Sequence, residues 1–262
     1  MLKVSSYICL FFILTITTCQ ASDFTGMWWD TSKPGTGVFL DYIEDSNGIC
    51  GSWYLYDERG TPQWVTFIGT VTNNTLNTSL YRFTGPSFGG AWDNSIVRGE
   101  AVGTISIDFS NPQTLTMDYE IERQRGILKL TRFSTQTCPG SIWWDISKQG
   151  QGIVHFHFLD SSGKEQLGLV WYVYDMEGNN IWYTATASPG NSSYDVWQFV
   201  GPSLGDKWDL ALLQSEKVGI ITGNFDNSIQ NGEKHSVRLD FDIKSTKGVL
   251  SLEPFLCPIA TP

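Results

Sequence analysis

The sequence predicts an all-β protein made of two tandem antiparallel meander modules, each with about seven or eight strands. Three observations predict this fold: apolar residues recur with a period of two, turn-forming residues separate the runs, and the whole pattern occurs twice. Consecutive strands with short connections close into a barrel or fold into a sandwich, and we favour a small barrel over a sandwich.

The strands of the first module are predicted at residues 37–43, 51–56, 63–71, 78–83, 102–109, 114–121 and 126–133. The second copy gives the same series. Residues 57–60 and 175–178 read as hairpin turns in which Gly60 and Gly178 take the left-handed conformation. Residues 209–215 have little β character, so a short helix is predicted there.

The repeat is visible as matching motifs along the whole chain. Residues 28–33 (WWDTSK) recur at 143–148 (WWDISK), residues 53–57 (WYLYD) at 171–175 (WYVYD), and residues 83–89 (FTGPSFG) at 199–205 (FVGPSLG). The offset varies only between 115 positions, at Trp28 and Trp143, and 122 positions, at Met117 and Leu239, so the insertions are small. We therefore predict module 1 at residues 22–138 and module 2 at residues 139–262.

These motifs resemble those of an uncharacterised family of secreted proteins and C-terminal modules from gammaproteobacteria and their relatives. The likeness rests on the double Trp followed by two glycines, on the Trp-Tyr-x-Tyr-Asp-x-x-Gly motif and on residues 80–88 (LYRFTGPSF). The family often has an aromatic residue between the two glycines, where this chain has Thr36 and Gln151. The resemblance implies bacterial export and all-β modules, and it implies no activity or cofactor.

The N-terminus is typical of a signal peptide. One basic residue, Lys3, precedes the apolar run at residues 8–14, which is too short to span a bilayer, and small residues follow. We predict cleavage after Ala21, so that residues 1–21 are the signal peptide and the mature protein is secreted or periplasmic. Acylation of Cys19 is a less favoured alternative, because Thr18 is a poor residue at the position before a lipidated cysteine. No later run has the length of a transmembrane segment.

Charge limits the classes of partner. Removing residues 1–21 takes away one lysine and no acid, which changes the formal net charge from −10 to −11. An acidic surface argues against nucleic acid as a partner.

Three cysteines remain after the predicted cleavage: Cys50, Cys138 and Cys257. An exported chain can hold a disulfide, but three cysteines are too few for a cysteine-stapled scaffold. Cys50 has Gly168 as its counterpart, so the second module cannot copy a bridge from Cys50 to Cys138. We favour that bridge within module 1, and a bridge from Cys138 to Cys257 is the alternative.

Aromatic residues are the leading candidates for binding. Alternation places Trp53 and Leu55 on one face of their strand, as core residues, and Tyr54 and Tyr56 on the other, where they face either solvent or a second sheet. If they face solvent, they form a ridge suited to carbohydrate or peptide ligands. Of each adjacent Trp pair only one ring can point into the core. The candidate binding residues are Trp29, Tyr54, Tyr56, Trp64, Trp144, Tyr172, Tyr174 and Trp182.

Catalytic and metal-binding candidates are weaker. His155 and His157 share a strand face, but their counterparts are Leu40 and Tyr42, and a surface pair is the favoured interpretation. The carboxylates Asp118, Glu120 and Glu122 alternate along one strand and are echoed by Asp240 and Asp242. Such a series is explained more simply by the solvent-exposed (wet) face of an antiparallel strand than by a catalytic pair of carboxylates. Asp30 and Asp145, after each Trp pair, are explained by turn capping.

The sequence therefore favours an exported, non-catalytic binding protein whose aromatic surfaces engage a carbohydrate, an envelope component or a protein. It predicts neither a cofactor nor a metal site, since no standard catalytic, phosphate-binding or calcium-binding motif is present. One alternative is a secreted hydrolase that acts on glycans through the strand carboxylates. A second is a carrier that holds a small apolar ligand inside a barrel.

Overall fold

The computed structural model describes residues 24–43, 46–134, 141–204, 207–225, 229–230, 233–234 and 236–255. The predicted signal peptide, Cys19, Cys138, His235 and Cys257 lie outside the described residues, as do residues 135–140 between the modules. The described chain is an all-β structure with two eight-stranded antiparallel sheets, each closed into a barrel. The predicted fold class and the preference for a barrel are confirmed.

Barrel 1 is a simple meander in which each strand pairs with the next. Its strands are β1 (Gly26–Trp29), β2 (Gly37–Ile43), β3 (Gly48–Tyr56), β4 (Pro62–Thr70), β5 (Thr75–Thr84), β6 (Arg98–Asp108), β7 (Thr114–Ile121) and β8 (Gln124–Arg132). The barrel closes where β1 pairs with β8, with Trp28 opposite Arg132. The seven predicted strands exist: five begin one to four residues earlier than predicted and three end one residue earlier, and β1 is not among the predicted strands.

Barrel 2 repeats this order. Its strands are β9 (Ser141–Trp144), β10 (Gly152–Leu159), β11 (Glu165–Tyr174), β12 (Asn180–Ala187), β13 (Ser193–Val200), β14 (Gln214–Thr222), β17 (Val237–Ile243) and β18 (Thr246–Pro254). A small hairpin of β15 (Ile229–Gln230) and β16 (Glu233–Lys234) lies between β14 and β17. Closure again joins the first and last strands, with Trp144 opposite Glu253.

The interior of each barrel is filled by its own inward-facing side chains. Trp28, Trp53 and Leu80 are fully buried in barrel 1, and Trp143 and Trp171 occupy equivalent positions in barrel 2. The prediction that Trp53 and Trp171 are core residues is confirmed. Because these indoles fill the lumen, they take the space that a ligand carried inside a barrel would need, which argues against the carrier alternative.

Turns follow the predicted chemistry with one exception. Gly60 and Gly178 adopt positive φ values of 81° and 84° in the β3–β4 and β11–β12 hairpins, as predicted. The predicted helix at residues 209–215 is wrong: only Leu210–Leu212 form a single 3-10 turn, and β14 begins at Gln214. Asn94–Ile96 form the matching turn in barrel 1. Among the described residues, no helix has the length and apolar content needed to span a membrane.

Cys50, on β3, is disulfide-bonded. Its predicted partner, Cys138, and Cys257, which belongs to the alternative bridge with Cys138, fall outside the described residues, so the predicted bridge from Cys50 to Cys138 stays a prediction.

Candidate functional site

The outward tyrosine face of each barrel packs against the other barrel. Tyr54 and Tyr56 are both 2% exposed and belong to an apolar cluster that also contains Tyr174 and Trp182 of barrel 2. We call this interface the seam. Of the two predicted environments for the tyrosines, solvent or a second sheet, the structure shows the second. An exposed ridge of Tyr54, Tyr56, Tyr172 and Tyr174 is therefore wrong.

Two indoles bind the barrels together reciprocally. Trp64 Nε1 donates to the carbonyl of Val173 at 3.3 Å, and Trp182 Nε1 donates to the carbonyl of Leu55 at 3.2 Å. Leu55 and Val173 are equivalent residues in the repeat, so the two hydrogen bonds are related by a pseudo-twofold axis. These bonds stabilise the seam, because leaving a buried donor unpaired costs about 1–3 kcal/mol.

Loops cross the seam in the same reciprocal way. Gly201 N donates to Gly60 O, and Gly85 N donates to Gly178 O, both at 3.1 Å. The β3–β4 or β11–β12 hairpin turn of each barrel thus accepts a backbone hydrogen bond from the Gly-Pro-Ser loop of the other barrel.

The residue after each Gly-Pro-Ser loop enters the opposite barrel. Phe88 of module 1 belongs to the core of barrel 2, and Leu204 of module 2 belongs to the core of barrel 1. Their side chains are only 7% and 2% exposed. Each of these loops therefore contributes a core residue to the opposite barrel in addition to its backbone contacts across the seam.

Two apolar grooves remain at the edges of the seam, one on each side of the pseudo-twofold axis. Groove A, of about 200 Å³, is lined by Trp29, Tyr54 and Phe133 of barrel 1 and by Phe156, Trp182 and Phe199 of barrel 2. Groove B, of about 470 Å³, is lined by Trp64, Tyr81 and Phe83 of barrel 1 and by Trp144, Tyr172 and Phe255 of barrel 2. Both barrels contribute to each groove, so neither groove exists in an isolated module.

The aromatic rings in the two grooves repeat the same arrangement. Trp29 meets Phe133 edge-on at 5.4 Å, and Trp144 meets Phe255 edge-on at 5.3 Å between ring centroids. In each pair the partner Trp28 or Trp143 points into the barrel with no exposed surface. The prediction that only one Trp of each pair points inward is confirmed.

The floor of each groove is built from stacked rings. Trp182 stacks on Phe199 at 6.1 Å in groove A, and Trp64 stacks on Phe83 at 5.9 Å in groove B. Six of the eight candidate binding residues therefore line a groove, three in each. The other two, Tyr56 and Tyr174, lie within the seam between them.

Burial keeps the seam tyrosines neutral. Loss of solvent raises the pKa of Tyr54 and of Tyr172 far above the ordinary value, so both phenols retain their protons. Ser52 Oγ donates to Tyr54 Oη at 2.8 Å, and Tyr56 Oη donates to the carbonyl of Gly35 at 2.8 Å. Neutral phenols and indoles make the groove walls apolar, with little capacity to bind charged groups.

The two histidines on β10 have different environments. His155 is 5% exposed and stacks on Phe225, with ring centroids 4.7 Å apart. Burial, together with the nearby His157, lowers the pKa of His155 to about 3. His157 instead pairs with Glu165 at 2.9 Å. The predicted surface pair is therefore wrong for His155, which is a neutral core residue at ordinary pH.

The strand carboxylates lie on an open outer surface away from the seam. Asp118 and Glu120 are exposed on β7 and line a wide concavity of about 740 Å³. Glu120 pairs with Arg125 at 2.7 Å, and the equivalent Asp242 pairs with Lys247 at 3.0 Å. The interpretation of a wet strand face is confirmed. Glu120 and Asp242 each pair with a cation, and Asp118 and Glu120 lie exposed on an open surface, which gives the hydrolase alternative no support.

Asp30 and Asp145 cap turns, as predicted. Asp30 Oδ1 accepts from the backbone N–H and hydroxyl of Ser32, and Asp145 Oδ1 accepts from the same groups of Ser147. Within the described part of the chain, no group of three or more histidine, cysteine or acidic side chains is arranged to hold a metal ion.

The chain matches no protein-family model, none of the curated proteins and none of the solved structures with which we compared it. Its function is therefore argued from the two grooves and their surroundings.

Proposed function

We propose that the protein is an exported, non-catalytic binding protein whose two seam grooves receive apolar side chains of a basic partner polypeptide. The observation that carries the proposal is the pair of equivalent aromatic grooves, which both barrels build together. The predicted signal peptide supports the exported location.

The chemistry of the groove walls favours a polypeptide over a sugar. Trp and Tyr rings dominate both grooves, and such rings are the most frequent anchors of protein interfaces. A sugar presents many hydroxyl groups, which require polar partners at the binding site. Most polar groups near the seam, such as Tyr56 Oη and the indole N–H groups of Trp64 and Trp182, are already bonded within the protein.

The sizes of the grooves also fit side chains. Groove A, at about 200 Å³, is smaller than the roughly 300–1,000 Å³ of most small-molecule sites. It suits a single large side chain, and groove B suits two. Ile68, at 37% exposure, and Tyr81, at 39%, leave part of groove B open to solvent.

The net charge of the chain predicts the sign of the partner's charge. The chain carries 27 acidic and 17 basic residues, with a formal net charge of −10. A surface of this sign attracts basic partners and accelerates their association at low salt.

Two matched variants test the proposal. Thr66 lines groove B and Thr184 lines groove A at the equivalent position, and both are partly exposed. Thr66→Trp and Thr184→Trp each fill one groove without removing a seam contact. A displayed random peptide library is selected against the full mature chain, and affinities of the selected peptides are measured for each variant by titration calorimetry.

We expect selected peptides to be basic with aromatic or aliphatic anchors, and to lose at least about tenfold in affinity when their groove is filled. Thr66→Trp should have the larger effect, because groove B is the larger. Peptides that bind both variants as well as the wild type would contradict the proposal. So would binding confined to a glycan array or to lipid vesicles.

A further inference from the structure

A separate cavity lies at the mouth of barrel 2. This mouth cavity, of about 180 Å³, is lined by Phe88, Trp92, Gln151, Trp171, Lys247 and Leu250. Phe88 reaches it from module 1, and Trp171 lies 5.6 Å from the Phe88 ring in an edge-to-face arrangement. The inserted loop of module 1 therefore forms one wall of a cavity whose other walls belong to barrel 2.

Two buried polar atoms beside this cavity have no hydrogen-bond partner among the described residues. They are Oε1 of Gln151, a residue that is 3% exposed, and Nε1 of Trp171, which is 1% exposed. Leaving such groups unpaired costs about 1–3 kcal/mol each. Protein interiors avoid this cost, so a group that bears it in a cavity indicates a site for a polar ligand.

Barrel 1 shows which of the two atoms is informative. Trp53, the equivalent of Trp171, also lacks a partner for Nε1 and packs 5.0 Å from the ring of Tyr119. The unpaired indole is thus shared by both barrels. At the position of Gln151, however, barrel 1 has Thr36, whose hydroxyl donates to the carbonyl of Lys33 at 2.9 Å. The unpaired amide oxygen is therefore specific to barrel 2.

We propose that the mouth cavity of barrel 2 binds one neutral sugar ring. A ring hydroxyl donates to Gln151 Oε1 and accepts from Trp171 Nε1, because a hydroxyl is both a donor and an acceptor. This dual capacity satisfies the glutamine in either orientation of its amide. The apolar face of the ring packs against Phe88 and Trp92, as aromatic walls permit.

The volume and charge of the cavity set the size and charge of the ligand. A cavity of about 150 Å³ holds benzene, a six-membered ring without substituents, so a cavity of about 180 Å³ limits the ligand to a single ring and excludes a longer chain. Lys148 lies 3.3 Å from Asp145, and Lys247 lies 3.0 Å from Asp242. Since both lysines at the entrance already have carboxylate partners, the site has no free cation to select an acidic sugar. Gln151 lines both the mouth cavity and groove B, so the test must distinguish a sugar in the mouth cavity from one in the groove.

The test uses the full mature chain and saturation-transfer NMR with glucose, galactose, mannose, N-acetylglucosamine and galacturonic acid at millimolar concentration. We expect at least one neutral sugar to give a transfer signal and galacturonic acid to bind more weakly. Gln151→Leu should weaken that binding about tenfold, as loss of one neutral hydrogen bond does. Thr36→Val, the matched change in barrel 1, should leave it unchanged.

Gln151→Thr, which copies barrel 1, provides a second variant if Gln151→Leu does not fold. The proposal is overturned if no neutral sugar binds the wild type, or if binding survives both Gln151 variants. It is also overturned if Thr66→Trp or Thr184→Trp abolishes sugar binding, because the sugar would then occupy a seam groove. Failure of peptide binding to the grooves leaves these outcomes unaffected, so the two proposals fail separately.

Discussion

Barrel 1 and barrel 2 contribute equivalent residues to the seam but different residues to their own interiors. Trp64 and Trp182 make the same hydrogen bond to the opposite barrel, and the Gly-Pro-Ser loops make the same backbone contacts. Several buried positions differ between the barrels, and at three of them barrel 1 has Leu40, Thr36 and the inserted Leu204. Barrel 2 has His155, Gln151 and the inserted Phe88 at these positions.

This contrast distinguishes residues that join the two barrels from residues that make the two barrels different. A seam residue faces its own equivalents across the pseudo-twofold axis, so a change in one copy disturbs contacts that the other copy also makes. A residue such as His155 instead stacks on Phe225 within its own module, where a change can be made in one copy alone. Repeated residues such as Trp64 and Trp182 therefore reflect the requirements of the seam, whereas the polar site that we propose lies at an unmatched position, Gln151.

The largest effect that tests the contrast is loss of a seam indole. Trp182→Ala removes a side chain that is 3% exposed, together with its hydrogen bond to Leu55 O, and should lower the free energy of unfolding by about 3–5 kcal/mol. Because the seam joins the barrels, guanidinium unfolding followed by circular dichroism should remain a single transition.

Trp64→Ala, the equivalent change, should have a similar effect. Ile127→Ala, on the outer face of barrel 1 where Ile127 is 53% exposed, should change stability by less than about 0.5 kcal/mol. Two separate transitions, only one of which moves in Trp182→Ala, would show that the barrels are independent.

The inserted side chains give the next largest effect. Phe88→Ala should destabilise barrel 2 by about 3 kcal/mol although Phe88 belongs to module 1, and Leu204→Ala should destabilise barrel 1. Hydrogen exchange measured by mass spectrometry assigns the loss of protection to individual strands. Phe88→Leu, which copies the residue of the other loop, should cost less than about 1.5 kcal/mol. Loss of protection in β5 and β6 without loss in β11 and β17 would contradict the exchange of loops.

The sequence predicted the barrels better than it predicted the seam. Alternation placed Trp53 and Trp171 in the cores, and glycine chemistry placed Gly60 and Gly178 in their turns, because both depend on neighbouring residues alone. The seam depends on which outer face meets which, and short-range pattern contains no such information. Its one signal was β3 itself, which is apolar on both faces and buried along its whole length.

In the candidate site, too, the features set by neighbouring residues were predicted and those set by contact between the barrels were not. The sequence selected eight aromatic residues, six of which line a groove, but it left open whether the tyrosines face solvent or a second sheet, and the opposite barrel covers them. Phe88 and Leu204 were missed as insertions because a single apolar residue after a turn has no periodicity. The best signal for them was their repetition, since an apolar side chain kept at both loop positions needs a buried environment.

The buried His155 of barrel 2, which has Leu40 as its counterpart, should make the stability of the protein depend on pH. The pKa of His155 is about 3 in the folded protein, below the roughly 6.5 of an unfolded chain, so the unfolded state binds the extra proton between these values. The neutral, buried His155 therefore lowers the free energy of unfolding little at a pH well above 6.5. The free energy of unfolding then decreases as the pH falls below this value. At pH 5 the loss should be about 2 kcal/mol.

His155→Leu, which copies Leu40 of barrel 1, should remove this loss. Urea unfolding at pH 7 and pH 5 measures it, with His157→Tyr as the matched control that copies Tyr42 and keeps the buried imidazole. An equal change between the two pH values in the wild type and His155→Leu would show that other groups cause the acid sensitivity.

The smallest expected effect concerns the two turn-capping aspartates. Burial raises the pKa of Asp30, but hydrogen bonds from Ser32 and from Lys129 N outweigh it, and the pKa lies below the ordinary 3.8. The bond from Lys129 N, at 3.0 Å, connects the β1–β2 turn to the closing strand β8. The second oxygen of Asp145 instead pairs with Lys148 at 3.3 Å, and that lysine is partly solvent-exposed.

Asp30→Ala should therefore cost about 1 kcal/mol more than Asp145→Ala at pH 7, where Asp30 is ionised in the folded and the unfolded state. Because a lowered carboxyl pKa stabilises the fold only above the unfolded pKa, the difference between the variants should shrink as the pH falls below 3.8. Chemical denaturation of both variants at pH 7 and pH 3 measures it. Equal losses at pH 7 would mean that the bond to β8 adds nothing to the closure of barrel 1, and that the two turns are as equivalent in energy as they are in sequence.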